Sequence, residues 1–193
     1  MISAVGNVIV ANGPLEDYTR FEVTSQMSAQ FFRNANGQRF EELATADLGP
    51  YFTEQTFGRT VARWDWNRDG REEALLTHVD RPIALLRNET TDAGHHLSLR
   101  FVATTTARDA IGTRVTVLTA PRPLTRQLVA GDGFQCSNQR QLVIGLGEHS
   151  TNVTLQVIWP SGHEQRFTNV PIDLEMLLIE GRVEWVTFAR VTN

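Results

Sequence analysis

Short runs of alternating apolar and polar residues, each closed by a cluster of Gly, Asn, Asp or Pro, recur along the whole chain, and a 3.6-residue apolar period is hard to find anywhere. Alternation at a period of two places apolar side chains on one face of an extended segment and polar ones on the other, so the pattern predicts a β-protein. Candidate strands are 7–11, 28–33, 57–64, 73–78, 83–87, 97–103, 113–119, 124–130, 141–145, 153–159, 163–169 and 175–180. Many short strands at this spacing suggest a sandwich, a barrel or propeller blades. With 193 residues, 41% of them hydrophobic, the chain can bury a sizeable core in one or two domains.

Charge and cysteine usage exclude several function classes. A formal net charge of −4, with no Lys/Arg stripe interleaved with aromatics, argues against a nucleic-acid partner. Cys136 is the single cysteine, so there is no intrachain disulfide and no CxxC site, and its expected role is that of a small buried hydrophobe. No apolar stretch is long enough to span a bilayer, and the first residues lack the charged and apolar regions of a signal peptide. Gly-x-Ser-x-Gly, P-loop and Rossmann patterns are also missing. His163-Glu164-Gln165-Arg166-Phe167 starts like a zinc-protease helix but has Phe167 in place of the second histidine and sits in a β-run. His95 and His96 are adjacent, and neighbours on a strand face opposite sides, which disfavours joint ligation of a metal. The expectation is therefore a non-enzymatic protein.

The run Asp65-Trp66-Asn67-Arg68-Asp69-Gly70-Arg71-Glu72-Glu73 sets oxygen-bearing side chains at alternate positions, adds a glycine and ends on a carboxylate. Ca²⁺ is a hard cation that takes six to eight oxygens, and a tight loop can turn Asp65, Asn67 and Asp69 toward one centre. Gly70 would let the backbone reverse, the Arg71 carbonyl would point inward, and Glu73 would close the shell. Leu76 stands where an EF-hand needs its twelfth-position glutamate, so this is not an EF-hand. Arg68 and Arg71 oppose cation binding, and the competing reading is a polar turn whose side chains bond their own backbone.

An internal repeat accompanies the loop. Phe31-Phe32-Arg33-Asn34 is echoed 54 residues later by Leu85-Leu86-Arg87-Asn88, and Asn7-Val8-Ile9-Val10 is echoed 66 residues later by Glu73-Ala74-Leu75-Leu76. The first copy's own loop would begin just before residue 1, so the expectation is the C-terminal portion of a longer repeat protein. The stretch from Phe57-Gly58-Arg59-Thr60 through the acidic loop to Asn88 resembles an FG-GAP or VCBS-type β-propeller repeat, which carries a calcium loop in each blade. The second half is similar to the ASPIC and UnbV C-terminal domain of bacterial secreted proteins and of the animal cartilage acidic protein. Ile111-Gly112-Thr113-Arg114-Val115, Gly131-Asp132-Gly133-Phe134-Gln135-Cys136-Ser137-Asn138, Ile144-Gly145-Leu146-Gly147 and Val157-Ile158-Trp159-Pro160-Ser161-Gly162 carry that likeness. Asn67 and Glu73 depart from the aspartates usual at their positions in the repeat. The resemblance implies an all-β chain with partial propeller-type blades over 1–92 and a C-terminal antiparallel β-sandwich over 93–193. It also implies an extracellular, periplasmic or cell-surface location, with Ca²⁺ at Asp65, Asn67, Asp69, Arg71 and Glu73.

Within the second half, Val153, Leu155, Val157 and Trp159 form one apolar face that Pro160-Ser161-Gly162 turns into a hairpin, and Trp159 is expected in the core rather than as a stacking platform. The polar segment 131–140 is the best candidate for a small-molecule loop, against the alternative of a connection whose groups bond each other. The leading reading is an interaction or scaffolding protein with a protein or glycan partner. A carbohydrate-recognition module around Phe134 is one alternative, and a hydrolase whose site lies partly in further N-terminal blades is another.

Overall fold

A computed structural model describes residues 6–14, 24–35, 37–131 and 133–191. It is all-β, as the alternation predicts, and no sheet closes into a barrel. Strands β1 Val8–Val10, β2 Gln30–Ala35 and β3 Arg39–Glu42 form one three-stranded antiparallel sheet, followed by short 3-10 turns at Thr45–Asp47 and Pro50–Thr53. Strands β4 Gly58–Trp64, β5 Glu73–His78 and β6 Ala84–Leu86 form a second. The remaining strands are β7 His95–Val102, β8 Arg114–Leu118, β9 Leu124–Gln127, β10 Leu142–Gly147, β11 Val153–Ile158, β12 Glu164–Val170, β13 Glu175–Ile179 and β14 Trp185–Phe188. They make two four-stranded sheets, ordered β10-β7-β13-β14 and β12-β11-β8-β9.

One core joins these two larger sheets. Leu97, Leu99, Phe101, Ile144, Met176 and Leu178 from the first meet Val115, Val117, Leu155, Val157 and Phe167 from the second. Alternation along β11 does what a half-buried strand requires, with Val153, Leu155 and Val157 buried while Gln156 and Ile158 are exposed. Trp159 continues that buried face and lies edge-on to Phe101, with ring centres 6.0 Å apart, so it is a core residue.

The sandwich departs from the expected antiparallel arrangement at its centre, where β13 runs parallel to β7. The chain reaches β13 from β12, which lies in the opposite sheet, and a strand arriving by such a crossover is not bound to the antiparallel sense that a hairpin imposes. Two strands also escaped the alternation pattern. β3 reads Arg-Phe-Glu-Glu, an edge strand dominated by charge, and β14 is a four-residue edge with two exposed positions. Edge strands need no buried face, so hydrophobic patterning does not reveal them.

The residues matched between the two copies pair in the same way in two strands of each sheet. Val8 pairs with Phe32, Ile9 with Phe31 and Val10 with Gln30, while Ala74 pairs with Leu86, Leu75 with Leu85 and Leu76 with Ala84. Residues matched at 66 and at 54 positions therefore occupy the same register in β1-β2 and in β5-β6. Side-chain identity varies between the copies, but the pairing does not.

At the far end of the sandwich, the buried Glu180 carboxylate gathers the loop after β7 and the β11-β12 turn. It accepts hydrogen bonds from the Ser161 hydroxyl, from the Thr104 and Thr105 N–H groups at 2.8 and 3.1 Å, and from the Thr105 hydroxyl at 2.8 Å. The Ser161 hydroxyl, and after it the threonine donors, hold this carboxyl down to about 2. A carboxyl depressed in the fold stabilises it above the ordinary glutamate value, and that contribution is lost as pH falls toward 2. Acid unfolding is accordingly expected to steepen below about pH 4, and Glu180→Gln should flatten that limb in melts taken across the range.

Candidate functional site

The acidic run is the loop of a β-hairpin. Trp64 pairs with Glu73 across β4 and β5, leaving the residues between them to turn. Asp65 supplies the hinge: its carboxylate accepts the Asp69 N–H and the Gly70 N–H, each at 3.0 Å. The Asn67 side-chain Oδ1 accepts the Asp69 N–H at 3.3 Å, and the Glu73 carboxylate accepts the Trp66 N–H at 3.3 Å. Such side-chain to backbone bonds are why Asp and Asn favour turns over regular strand. Arg68 at φ 58° and Gly70 at φ 80° occupy the left-handed region that the reversal demands.

Asp65, Asn67 and Glu73 are buried, and Asp69 is nearly so. Burial pushes the Asp65 carboxyl above its ordinary value against the pull of the Gly70 and Asp69 N–H groups, and the neighbouring Asp69 charge adds to the rise. Burial likewise raises Glu73, opposed by the Trp66 and Asn88 N–H groups and reinforced by Asp69 and Asp65. Asp69 goes the other way. Burial alone would raise it, but the Arg71 guanidinium, the Arg71 N–H and the Asn67 amide outweigh that and hold it low. Arg71 grips Asp69 through Nε at 2.9 Å and through Nη2, and its Nη1 donates to the Thr90 carbonyl at 2.8 Å. Arg71 thus takes part through its side chain. Among the described residues, no three His, Cys, Asp or Glu side chains stand grouped as a ready metal cage. Two side-chain atoms of the loop, Glu73 Oε1 and Trp66 Nε1, are buried without a hydrogen-bond partner, as are His96 Nε2 and both Glu175 carboxylate oxygens beside it.

The loop rests on the outer face of the sheet containing β7 and β13. His96 lies against Gly70 so closely that a Cβ there would come within 2.1 Å of the ring. Arg68, read from the sequence as a charge opposing a cation, turns away to the buried Glu175 at 3.3 Å, donates to the Ala189 carbonyl at 3.1 Å and covers the Phe188 ring. Arg100 approaches Glu175 from the same sheet at 3.5 Å. The Val191 N–H donates to the Asn67 carbonyl at 3.0 Å, and the Asp65 N–H donates to the Gln139 side chain at 3.2 Å. His96, Gln139 and Glu175 were not legible as partners of the loop, because in sequence they read as the polar, solvent-facing positions of their strands and loops.

Other candidates resolve locally. His95 and His96 share one partner: Asp173 lies 2.6 Å from His95 Nδ1 and 3.4 Å from His96 Nδ1, and it accepts the His96 N–H. Each imidazole approaches a different oxygen of Asp173, and His95 is half-exposed while His96 is buried, opposite a bulge in β10 between Gly145 and Gly147. Of segment 131–140, in which Asp132 lies outside the described residues, Cys136 to Gln139 lie along β4. Cys136 is half-buried and its thiol donates to the Val61 carbonyl at 3.1 Å, the Arg63 N–H donates to Asn138 at 2.7 Å, and the Gln139 N–H donates to the Arg63 carbonyl at 3.2 Å. Cys136, Asn138 and Gln139 therefore bond a neighbouring strand, while Arg140 donates to the Val129 and Ala130 carbonyls. His78 bonds Tyr51 at 2.7 Å. No helix among the described residues is long and apolar enough to cross a membrane.

No curated protein matches the chain. Residues 103–184, most of the two-sheet sandwich but less than half of the chain, match the family model for ASPIC and UnbV, which supports the likeness drawn from the Ile111, Gly131, Ile144 and Val157 motifs.

Proposed function

We propose that the chain is a non-enzymatic, extracytoplasmic interaction or scaffolding protein, with an FG-GAP/VCBS-type repeat region over 1–92 and an ASPIC/UnbV-like domain over 93–193. In this reading the loop 65–73 holds Ca²⁺ as a structural ion. The observation that carries it is Glu73, a carboxylate sealed from water whose Oε1 makes no well-formed hydrogen bond, beside two further carboxylates that repel it. A buried, unpaired anionic oxygen is costly, and a hard cation supplies the missing positive charge. Asp65, Asn67, Asp69 and Glu73 would offer side-chain oxygens, and Arg71 its carbonyl. Because Arg71 already neutralises Asp69, guanidinium and cation compete for one carboxylate. The expected affinity is therefore weak, roughly 10⁻⁴ to 10⁻³ M, the range of extracellular calcium modules.

An ion there would brace the hairpin against the sandwich face that it touches through Gly70, Arg68 and Asn67. At 10 mM Ca²⁺ such an affinity stabilises the fold by about 1.4 to 2.7 kcal/mol by mass action. Thermal melts with and without Ca²⁺ should show that rise in the native chain and lose it in Asp65→Ala. A rise of equal size in the variant would remove the loop from consideration. The partner is a protein or a glycan. A glycan site on segment 131–140 is less favoured, since Cys136, Asn138 and Gln139 are engaged with β4.

A further inference from the structure

The internal repeat contains an interface, and that interface shows what fits the faces left open on either side of it. In the first sheet Val8, Val10 and Phe32 share one face, while Ile9 and Phe31 share the other. Their counterparts in the second sheet are Ala74, Leu76 and Leu86 on one face, and Leu75 and Leu85 on the other. Between the two sheets, Phe31 meets Phe52 edge-on at 6.5 Å, Phe52 meets Tyr51 at 5.8 Å, and Tyr51 lies tilted against His78 and hydrogen-bonds it, His78 continuing the Ala74-Leu76 face. Leu76 is fully buried and Ala74 nearly so. Phe31 of one repeat is thus linked to the Ala74-Leu76 face of the next through the aromatic pair of the intervening 3-10 turn.

The same two faces recur uncovered at the outer sides of the pair. On the first sheet, Val8 is 39% exposed and Phe40, which lies on the Val8 face, is 53% exposed. On the second sheet, Leu85 is 49% and Trp64 44% exposed, with Val79 and Ile83 exposed beside them. Exposed large apolar groups gathered on a sheet face mark a contact surface. Each outer face is the counterpart of a face already seated inside the molecule, and Phe40 and Trp64 offer the aromatic area that Tyr51 and Phe52 provide within.

We propose that these faces bind each other between copies of this chain, the Leu85-Trp64 face of one seating on the Val8-Phe40 face of the next. The contact is heterologous, joining two different surfaces head to tail, so it propagates into a ring or an open string of subunits. This proposal is independent of cation binding at the loop.

Sedimentation velocity on the full chain over a concentration series tests it. The native protein is expected to gain mass with concentration beyond a dimer, whereas Leu85→Asp and Phe40→Asp, each blocking one face at an exposed position, are each expected to remain monomeric with unchanged melting. An equimolar mixture of the two variants retains one intact face of each kind and should give dimers and nothing larger. A native chain monomeric up to its solubility limit would overturn the proposal and leave the faces to a covalently linked repeat. Association that persists in either variant alone, or a mixture that stays monomeric, would overturn it as well.

Discussion

Gly70→Ala is expected to lower stability by about 3 kcal/mol, the sum of a left-handed backbone cost of roughly 1 to 2 kcal/mol and an overpacking cost of roughly 1 to 3 kcal/mol. The added methyl would enter the space of the His96 ring. That ring is buried and its residue is tied to Asp173 through both backbone N–H and Nδ1, so it has little freedom to retreat. For a chain of this length the loss corresponds to a fall in melting temperature of roughly 6 to 12 °C. Calorimetry on the single variant and on Gly70→Ala/His96→Ala separates the two causes, because removing the ring relieves the steric part and leaves the backbone part. A single variant within about 0.5 kcal/mol of the native chain, the range of ordinary surface substitutions, would mean that the loop does not seat on His96.

Trp159→Ala is expected to cost about 3 to 5 kcal/mol, as large aromatic truncations in packed cores do. Trp159 lies 2% exposed between Phe101 and the β11 face, so its removal leaves a cavity rather than a vacated surface. Its Nε1 is buried and makes no hydrogen bond, so Trp159→Phe gives up no polar contact and should cost far less, below about 2 kcal/mol. Denaturant titrations with a shared slope measure both changes. A stacking platform would behave in the opposite way, with Trp159→Ala nearly neutral in stability and any effect confined to ligand binding.

Much of the fold was legible because the half-buried strand has a sequence signature. Each of the twelve alternating runs corresponds to a strand, and the matched Phe31/Leu85 and Val8/Ala74 positions fall in equivalent register. What escaped depends on contacts between distant segments. β3 and β14 carry no buried stripe, and the parallel placement of β13 beside β7 follows from a crossover that no local pattern encodes. The loop was recognisable from its own spacing, since Asp65, Asn67 and Gly70 do local work. Its surroundings were not. Arg68 finds Glu175 more than 100 residues along the chain, and the Asp65 N–H finds Gln139 across 74 positions. Alternation along β7 suggests that His96 and Ser98 face water, whereas both are buried beneath another part of the molecule.

The parallel partnership of β7 with β13 also bears on how the chain comes into being. Residues 95–102 are synthesised early in the sandwich, yet the strand that completes their sheet begins only at Glu175, so β7 must wait with one backbone edge unsatisfied while more than 70 further residues are made. Pairings so remote in sequence slow folding, because loop closure precedes any reward. The nascent polypeptide is therefore kept from early collapse into its final form until the last third of the sandwich has been made.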